Sequence, residues 1–466
     1  MNRRTIGNLL KYAVALALLV YVVWANWGDP RGTAGKIVVG GEPGQGKVTG
    51  AVVSYTPGES IVLSERTPDG GDAGREVSFA LKKNGALAQA LNSLWAKLFG
   101  EGKTLFSRKT NVVRAGGEPL PEGETVRPGT VVTVSEVSRG LAYIWQRHVV
   151  EGEPIHLGYL ALAFVIALAA VLLTFARWYY LVRAVDLPFR LIDALRLGFI
   201  GLFFNTFMPG SVGGDVIKAA FLAREQNRRT VAVATVIMDR AIALWALVWF
   251  VALLGAGFWL GGLLVGQGAE QCRLIVSLAW GIVGASMVVW IGLGLLPPHR
   301  AERFAGRLSR LPRVGHSVAE LWRAVWMYRC RPRSVLLVLI LSWIGHVGFV
   351  FLFYCSAQVL RTSGSSDMPT LAQHFLIVPI GLVIEAMPFF PGGAGIGELG
   401  FGLLYEWLGC SEAAGVLSSL VKRVIMWVLG LLGYLVYLRM RATLPAPFEA
   451  ETAEAEKEAL APAPVR

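Results

Sequence analysis

The chain has 466 residues, of which 54% are hydrophobic and only 16% charged, and its mean hydropathy is +0.53. A soluble domain carries about 25% charged residues, so this is a membrane composition; it excludes a soluble enzyme, a secreted disulfide scaffold and a disordered chain. The net charge of +12 comes from arginines at the ends of apolar runs, which points to topology and anionic headgroups and gives no reason to expect a nucleic-acid partner.

The first apolar run, 9–27, follows Arg3 and Arg4 and reads as a signal-anchor helix (1–27) with a cytoplasmic N-terminus. Residues 28–153 break the pattern, with 15 Lys and Arg against 14 Asp and Glu and many turn residues. Short β-patterned runs at 52–55, 61–63, 77–81 and 131–137, with one helical run at 86–99, predict a small β-rich extracytoplasmic domain. Gly41 to Lys47 is spaced like a phosphate loop, but Val48 stands where Mg²⁺ binding needs Ser or Thr.

Residues 154–441 are expected to form the membrane domain, with spans over 157–176, 231–254, 274–296, 335–360 and 413–438. Arg177, Arg183, Arg190 and Arg196 mark the inner end of the first of these. Between 297 and 334 nine arginines face two glutamates, so this segment is predicted to be a cytoplasmic loop. The tail, 442–466, is Ala/Glu/Pro-rich and expected to be disordered and cytoplasmic. This is the topology of a multi-pass protein of the cytoplasmic (inner) membrane.

Two further apolar segments, 191–222 and 375–408, must enter and return on one side. The first breaks at Met208-Pro-Gly-Ser-Val-Gly-Gly-Asp215 and the second at Pro391-Gly-Gly-Ala-Gly-Ile-Gly-Glu398. Asp215 lies 25 residues before Arg240 and Glu398 lies 25 before Arg423, so both acid and arginine recur at an offset of 183 (398 − 215 and 423 − 240). Matched spacing at a matched offset argues for an internal duplication, and the topology makes it an inverted one. The predicted fold is an all-α polytopic membrane protein with inverted repeats and two Pro/Gly-broken re-entrant segments, plus the small β-rich domain.

Broken helices in corresponding halves point to a substrate site near the bilayer midplane. A helix can break in lipid only where protein or a water-filled cavity satisfies the freed backbone groups. The candidate substrate-binding residues are Asn205, Pro209, Gly213, Gly214, Asp215, Lys218, Asp239 and Arg240 in the first half. In the second they are Glu385, Pro391, Gly392, Gly393, Gly395, Glu398 and Arg423. Arg240 and Arg423 are expected to line a central cavity and to pair with the motif acids or bind a substrate phosphate. The competing account makes each pair a structural bridge and each break a packing kink. His346 reads as a packing residue. The scattered Cys272, Cys330, Cys355 and Cys410 carry no metal or disulfide spacing. No catalytic motif stands out, and no cofactor is expected.

At these residues the chain resembles the flippase-like family of the lysylphosphatidylglycerol synthase transmembrane region. The matching stretches are ARWYYLVRAVDLPF (176–189), FFNTFMPGSVGGDVIKAAFL (203–222) with MDR (238–240), and MPFFPGGAGIGELGFGLL (387–404) with KR (422–423). The resemblance implies an integral membrane protein that moves a lipid or lipid-linked sugar between leaflets. Its partners would be membrane lipids, anionic or polyprenyl-linked. The family often carries Arg where this chain has Gly397, and it joins its first two helices by a short loop where this chain has 28–153. In the synthases a soluble aminoacyl-transferase domain would follow the membrane part; with 25 residues after Arg441 (466 − 441), this chain is not expected to carry that chemistry. The alternatives are a membrane-embedded transferase acting on a lipid phosphate, and a receptor or scaffold working through a protein partner of the extracytoplasmic domain.

Overall fold

The computed structural model describes residues 13–14, 16–24, 26–27, 33–39, 48–56, 60–66, 72–81, 111–114, 126–138, 140–207, 213–226, 228–264, 268–295, 297–310, 315–362, 368–386 and 393–440. The expected helix at 86–99, the 41–47 loop, residues 208–212 of the first Pro/Gly break, including Pro209, and Pro391 and Gly392 of the second lie outside these residues. So does the tail.

Six strands form one mixed sheet: β1 (Thr33–Val39), β2 (Val48–Thr56), β3 (Ser60–Arg66), β4 (Asp72–Leu81), β5 (Asn111–Arg114) and β6 (Val131–Ser138). The four runs expected from alternation are β2, β3, β4 and β6; β1 and β5 were not legible. The order is β4-β3-β2-β6-β1-β5, and β4 also pairs with β1 in parallel, so five strands close into a ring. Alternation sends Ile37, Val52, Ile61, Leu63, Phe79, Val132 and Val134 into its centre, each no more than 3% exposed. A barrel this small is filled by side chains and encloses no ligand space.

The rest is helical. α1 covers 16–24, and α2 (Leu141–Trp145) runs on as a π-turn. Among the described residues five helices are long and apolar enough to cross a membrane: α3 (Leu157–Ala184), α6 (Arg229–Leu260), α7 (Ala269–Leu295), α10 (Pro332–Val359) and α13 (Glu412–Met440). Each contains one expected span almost whole. The shorter ones are α4 (Leu191–Phe207), α5 (Gly213–Glu225), α8 (Pro298–Leu308), α9 (Gly315–Arg329), α11 (Leu371–Glu385) and α12 (Ile396–Trp407). The basic segment expected as a loop is therefore a helical hairpin, α8–α9. Arg300, Arg303 and Arg307 lie at helical spacing on an exposed face of α8, so they lower its hydropathy without breaking the helix.

Both broken segments do split into two helices. α5 and α12 start 183 residues apart (396 − 213), and so do α6 and α13 (412 − 229). α3 packs along α10, and the His156 N–H donates to the Val359 carbonyl at 3.0 Å, so the start of one meets the end of the other. α4 packs on α13, and α11 packs on α6. Gly214 allows the closest crossing in the first half: a Cβ there would sit 1.9 Å from the Gly201 carbonyl oxygen.

Candidate functional site

The first site grows from the start of α5. The opening N–H groups of a helix have no partner within it. The Asn205 side chain, near the end of α4, accepts from the Gly214 N–H at 2.8 Å and supplies one. Asp215 is the third residue of α5, where the helix dipole favours an anion. Arg240, at the twelfth position of α6, donates through Nε to Asp215 Oδ2 at 2.5 Å. Lys218, one turn along α5, holds Nζ 3.7 Å from Asp215 Oδ1 and roofs the Phe175 and Trp178 rings at 5.9 and 5.2 Å.

Asp239, beside Arg240, faces the other way and receives Arg177 of α3 through Nε and Nη2, both at 2.9 Å. Arg177 also donates to Ser342 Oγ on α10 at 3.2 Å. Arg177 is 6% exposed and lies inside α3, where the sequence reading put it at a cytoplasmic span end. The correction has a simple cause: the helix runs eight residues past the expected boundary (184 − 176), which draws Arg177 into the bundle. Its sequence signal was Asp239, a second intramembrane acid with no partner along its own helix.

These side chains surround a cavity of about 330 Å³, with Asn205, Asp215, Lys218, Asp239, Arg240 and Arg177 in its polar wall. His346 also borders it, with Nε2 3.4 Å from the Ala243 carbonyl. Asp215, Lys218 and Asp239 are each 7% exposed, whereas the Arg240 side chain is 42% exposed. Of the described groups facing the cavity, three are cations (Arg177, Lys218, Arg240) and two are carboxylates (Asp215, Asp239).

The second site repeats the pair with both side chains buried. Glu398, third in α12, is 0% exposed and accepts from Arg423 Nε at 2.6 Å and Nη2 at 3.0 Å. It also accepts from the Gly395 N–H at 2.7 Å and from Ser419 Oγ at 3.3 Å. Arg423 Nη2 donates further to the Gly393 carbonyl at 3.1 Å. Lys422 pairs with Glu385 and lies 5.1 Å from the Phe353 ring centroid. Two cations meet two carboxylates, so the cluster is neutral. Gly395 has φ +82°, and its missing Cβ is filled by Leu18 of α1 at 2.8 Å. Arg423 was expected to line the cavity and to pair with a motif acid or bind phosphate; it pairs with Glu398 and is not in the wall of the cavity at Arg240, because Glu398, the Gly393 carbonyl and Glu385 surround its guanidinium. Glu385, Gly393, Gly395 and Glu398 stand with it, apart from the cavity wall, and Gly213 is likewise outside that wall.

The sequence reading thus paired both acids with their arginines but missed Arg177, Ser342 and Lys422. Asp239 and Lys422, equivalent by the offset of 183, have opposite charges and recruit opposite partners.

Residues 150–433 match the model of a family described as the lysylphosphatidylglycerol synthase TM region. No curated protein matches the chain. The match covers more than half of the 466 residues and both acid–arginine pairs, and the chain belongs to this family.

Proposed function

We propose that this family member is a multi-pass carrier that passes an anionic lipid headgroup, or a polyprenyl-linked one, between leaflets, with the headgroup held in the first site. The observation that carries this reading is the cavity beside Asp215 and Arg240. Its largely apolar wall gathers five charged side chains, three cations and two carboxylates, at one place. A phosphodiester carries one negative charge, and the planar guanidinium and ammonium groups gathered in this wall match it in sign and in hydrogen-bonding chemistry.

The two halves are read as an inverted repeat. Helix starts at a common offset support this, as does the end-to-start packing of α3 on α10. The exchange of α4 and α11 onto the long helix of the opposite half fits the same reading. In such folds one half rocks against the other around a fixed site. The closed, neutral Glu398–Arg423 cluster then serves as the packed counterpart of the open one. Termini and the α8–α9 hairpin are placed in the cytoplasm and the barrel outside, by the arginine asymmetry. Movement is passive or ion-coupled, with Asp215 the nearest candidate for a proton carrier. No chemical step is assigned to the chain.

The test is reconstitution of the full chain in vesicles holding head-labelled phosphatidylglycerol or a labelled polyprenyl phosphate. A membrane-impermeant quencher reads the fraction exposed outside. The reading predicts faster loss of protected label with wild type than in protein-free vesicles, and loss of that gain in a folded Arg240→Gln variant. Protein-free kinetics for both lipids would overturn it.

A further inference from the structure

The α8–α9 hairpin joins the end of one membrane-crossing helix, α7, to the start of the next, α10. Ala301 and Ala305 of α8 are buried at 3% and 0%, and the Trp322 indole of α9 donates to the Ala301 carbonyl at 3.0 Å. Phe304 and Trp322 pack with ring centroids 4.7 Å apart. These contacts fix one face of α8 against α9. Arg300, Arg303 and Arg307, at i, i+3 and i+7, share the adjoining face and are exposed.

The three arginines, Phe304 and Trp322 enclose a pocket of about 420 Å³. The acid on α8, Glu302, is already held by Arg323 through Nη2 at 2.6 Å and Nε at 3.1 Å. Among the described residues no carboxylate pairs with Arg300, Arg303 or Arg307. Beside the pocket Phe304 is 42% exposed, and Leu295, where α7 ends, is 80% exposed. Three convergent guanidinium groups, an aromatic floor and an apolar flank at the membrane boundary make a receptor for a phosphate attached to acyl chains.

We propose that this hairpin binds the headgroup phosphate of an anionic phospholipid in the leaflet where α7 ends and α10 begins. The lipid's phosphate is held by Arg300, Arg303 and Arg307, its glycerol rests on Phe304 and Trp322, and its chains run beside α7. The site is separate from the cavity at Arg240 and does not depend on the transport reading.

Native mass spectrometry of the detergent-solubilised full chain tests it, with dihexanoyl phosphatidylglycerol, dihexanoyl phosphatidylcholine and inorganic phosphate as probes. The pocket predicts preferential retention of the phosphatidylglycerol. A basic residue near an anionic lipid surface is worth about fivefold, so Arg300→Gln, Arg303→Gln, Arg307→Gln together should weaken it on the order of 100-fold. The triple Lys variant keeps the charge but loses the planar fork, and should weaken it roughly tenfold. Phe304→Ala should weaken it while leaving charge untouched, and Arg240→Gln should leave this binding unchanged. Wild-type retention by the triple Gln variant would overturn the proposal, as would wild-type retention by the triple Lys variant. Equal affinity for inorganic phosphate would overturn the lipid as occupant. Because the three arginine side chains are exposed, a size-exclusion profile like wild type is expected of both triple variants.

Discussion

Arg240 and Arg423 occupy the same position in their helices, yet their removal should have opposite consequences. Arg423 is 6% exposed in its side chain and makes two hydrogen bonds to Glu398 and one to the Gly393 carbonyl. Arg423→Gln leaves Glu398, at 0% exposure, with a buried charge whose partner is gone. Breaking a buried pair on one side costs about 3–5 kcal/mol. Arg240 pairs with Asp215, and its side chain is 42% exposed. Solvent screens that pair, and Lys218 remains near the acid, so Arg240→Gln should cost about 1 kcal/mol or less. Reversible unfolding in mixed detergent–dodecyl sulfate micelles can measure both differences. The double variant Arg423→Met, Glu398→Met removes both charges and should recover most of the loss, because an apolar pair of similar volume avoids the desolvation penalty. The transport order is reversed: Arg240→Gln should fold and fail to carry lipid. Equal destabilisation by the two Gln variants, or no recovery in the double Met variant, would refute the distinction between a closed structural pair and an open binding pair.

Gly214→Ala should destabilise the first half by roughly 1–3 kcal/mol or more, because its Cβ would meet the Gly201 carbonyl oxygen at 1.9 Å, and the same unfolding assay reads it. Single cysteines in a Cys-free background should label from outside at position 70 and from the cytoplasm at position 310; the reverse at either site would remove the inverted orientation of the halves. At the α3–α4 turn, Arg331 donates to Asp186 and holds its carboxyl below the usual carboxylate range. A carboxylate with a depressed folded pKa stabilises above its unfolded pKa and loses that contribution as pH falls through the folded value. Asp186→Asn should therefore melt slightly below wild type at pH 7, and the difference should vanish toward pH 3.

Hydropathy alone located all five long spans, because a helix facing lipid must be apolar along a continuous run whatever its neighbours are. The matched breaks and the two acid–arginine pairs were also legible, since their common spacing stands in the sequence and an intramembrane charge demands a partner. The strands β2, β3, β4 and β6 showed as alternation; the closure of β4 on β1 did not, because pairing between distant strands leaves no local pattern. The hairpin α8–α9 was hidden because periodic arginines depress mean hydropathy as much as a loop does. The partners of Asp239 and Lys422 were not legible either: Arg177 is 62 residues away and Glu385 is 37 residues away, each on another helix. Above all, sequence spacing made the two sites equivalent, and only tertiary packing made them different. Whether a buried pair becomes a tight bridge or the wall of a cavity depends on the further charges brought beside it. Arg177 of α3 balances Asp239 and Glu385 of α11 balances Lys422, whereas Lys218 of α5, where the offset of 183 gives the second site Phe401, leaves three cations facing two carboxylates in the first.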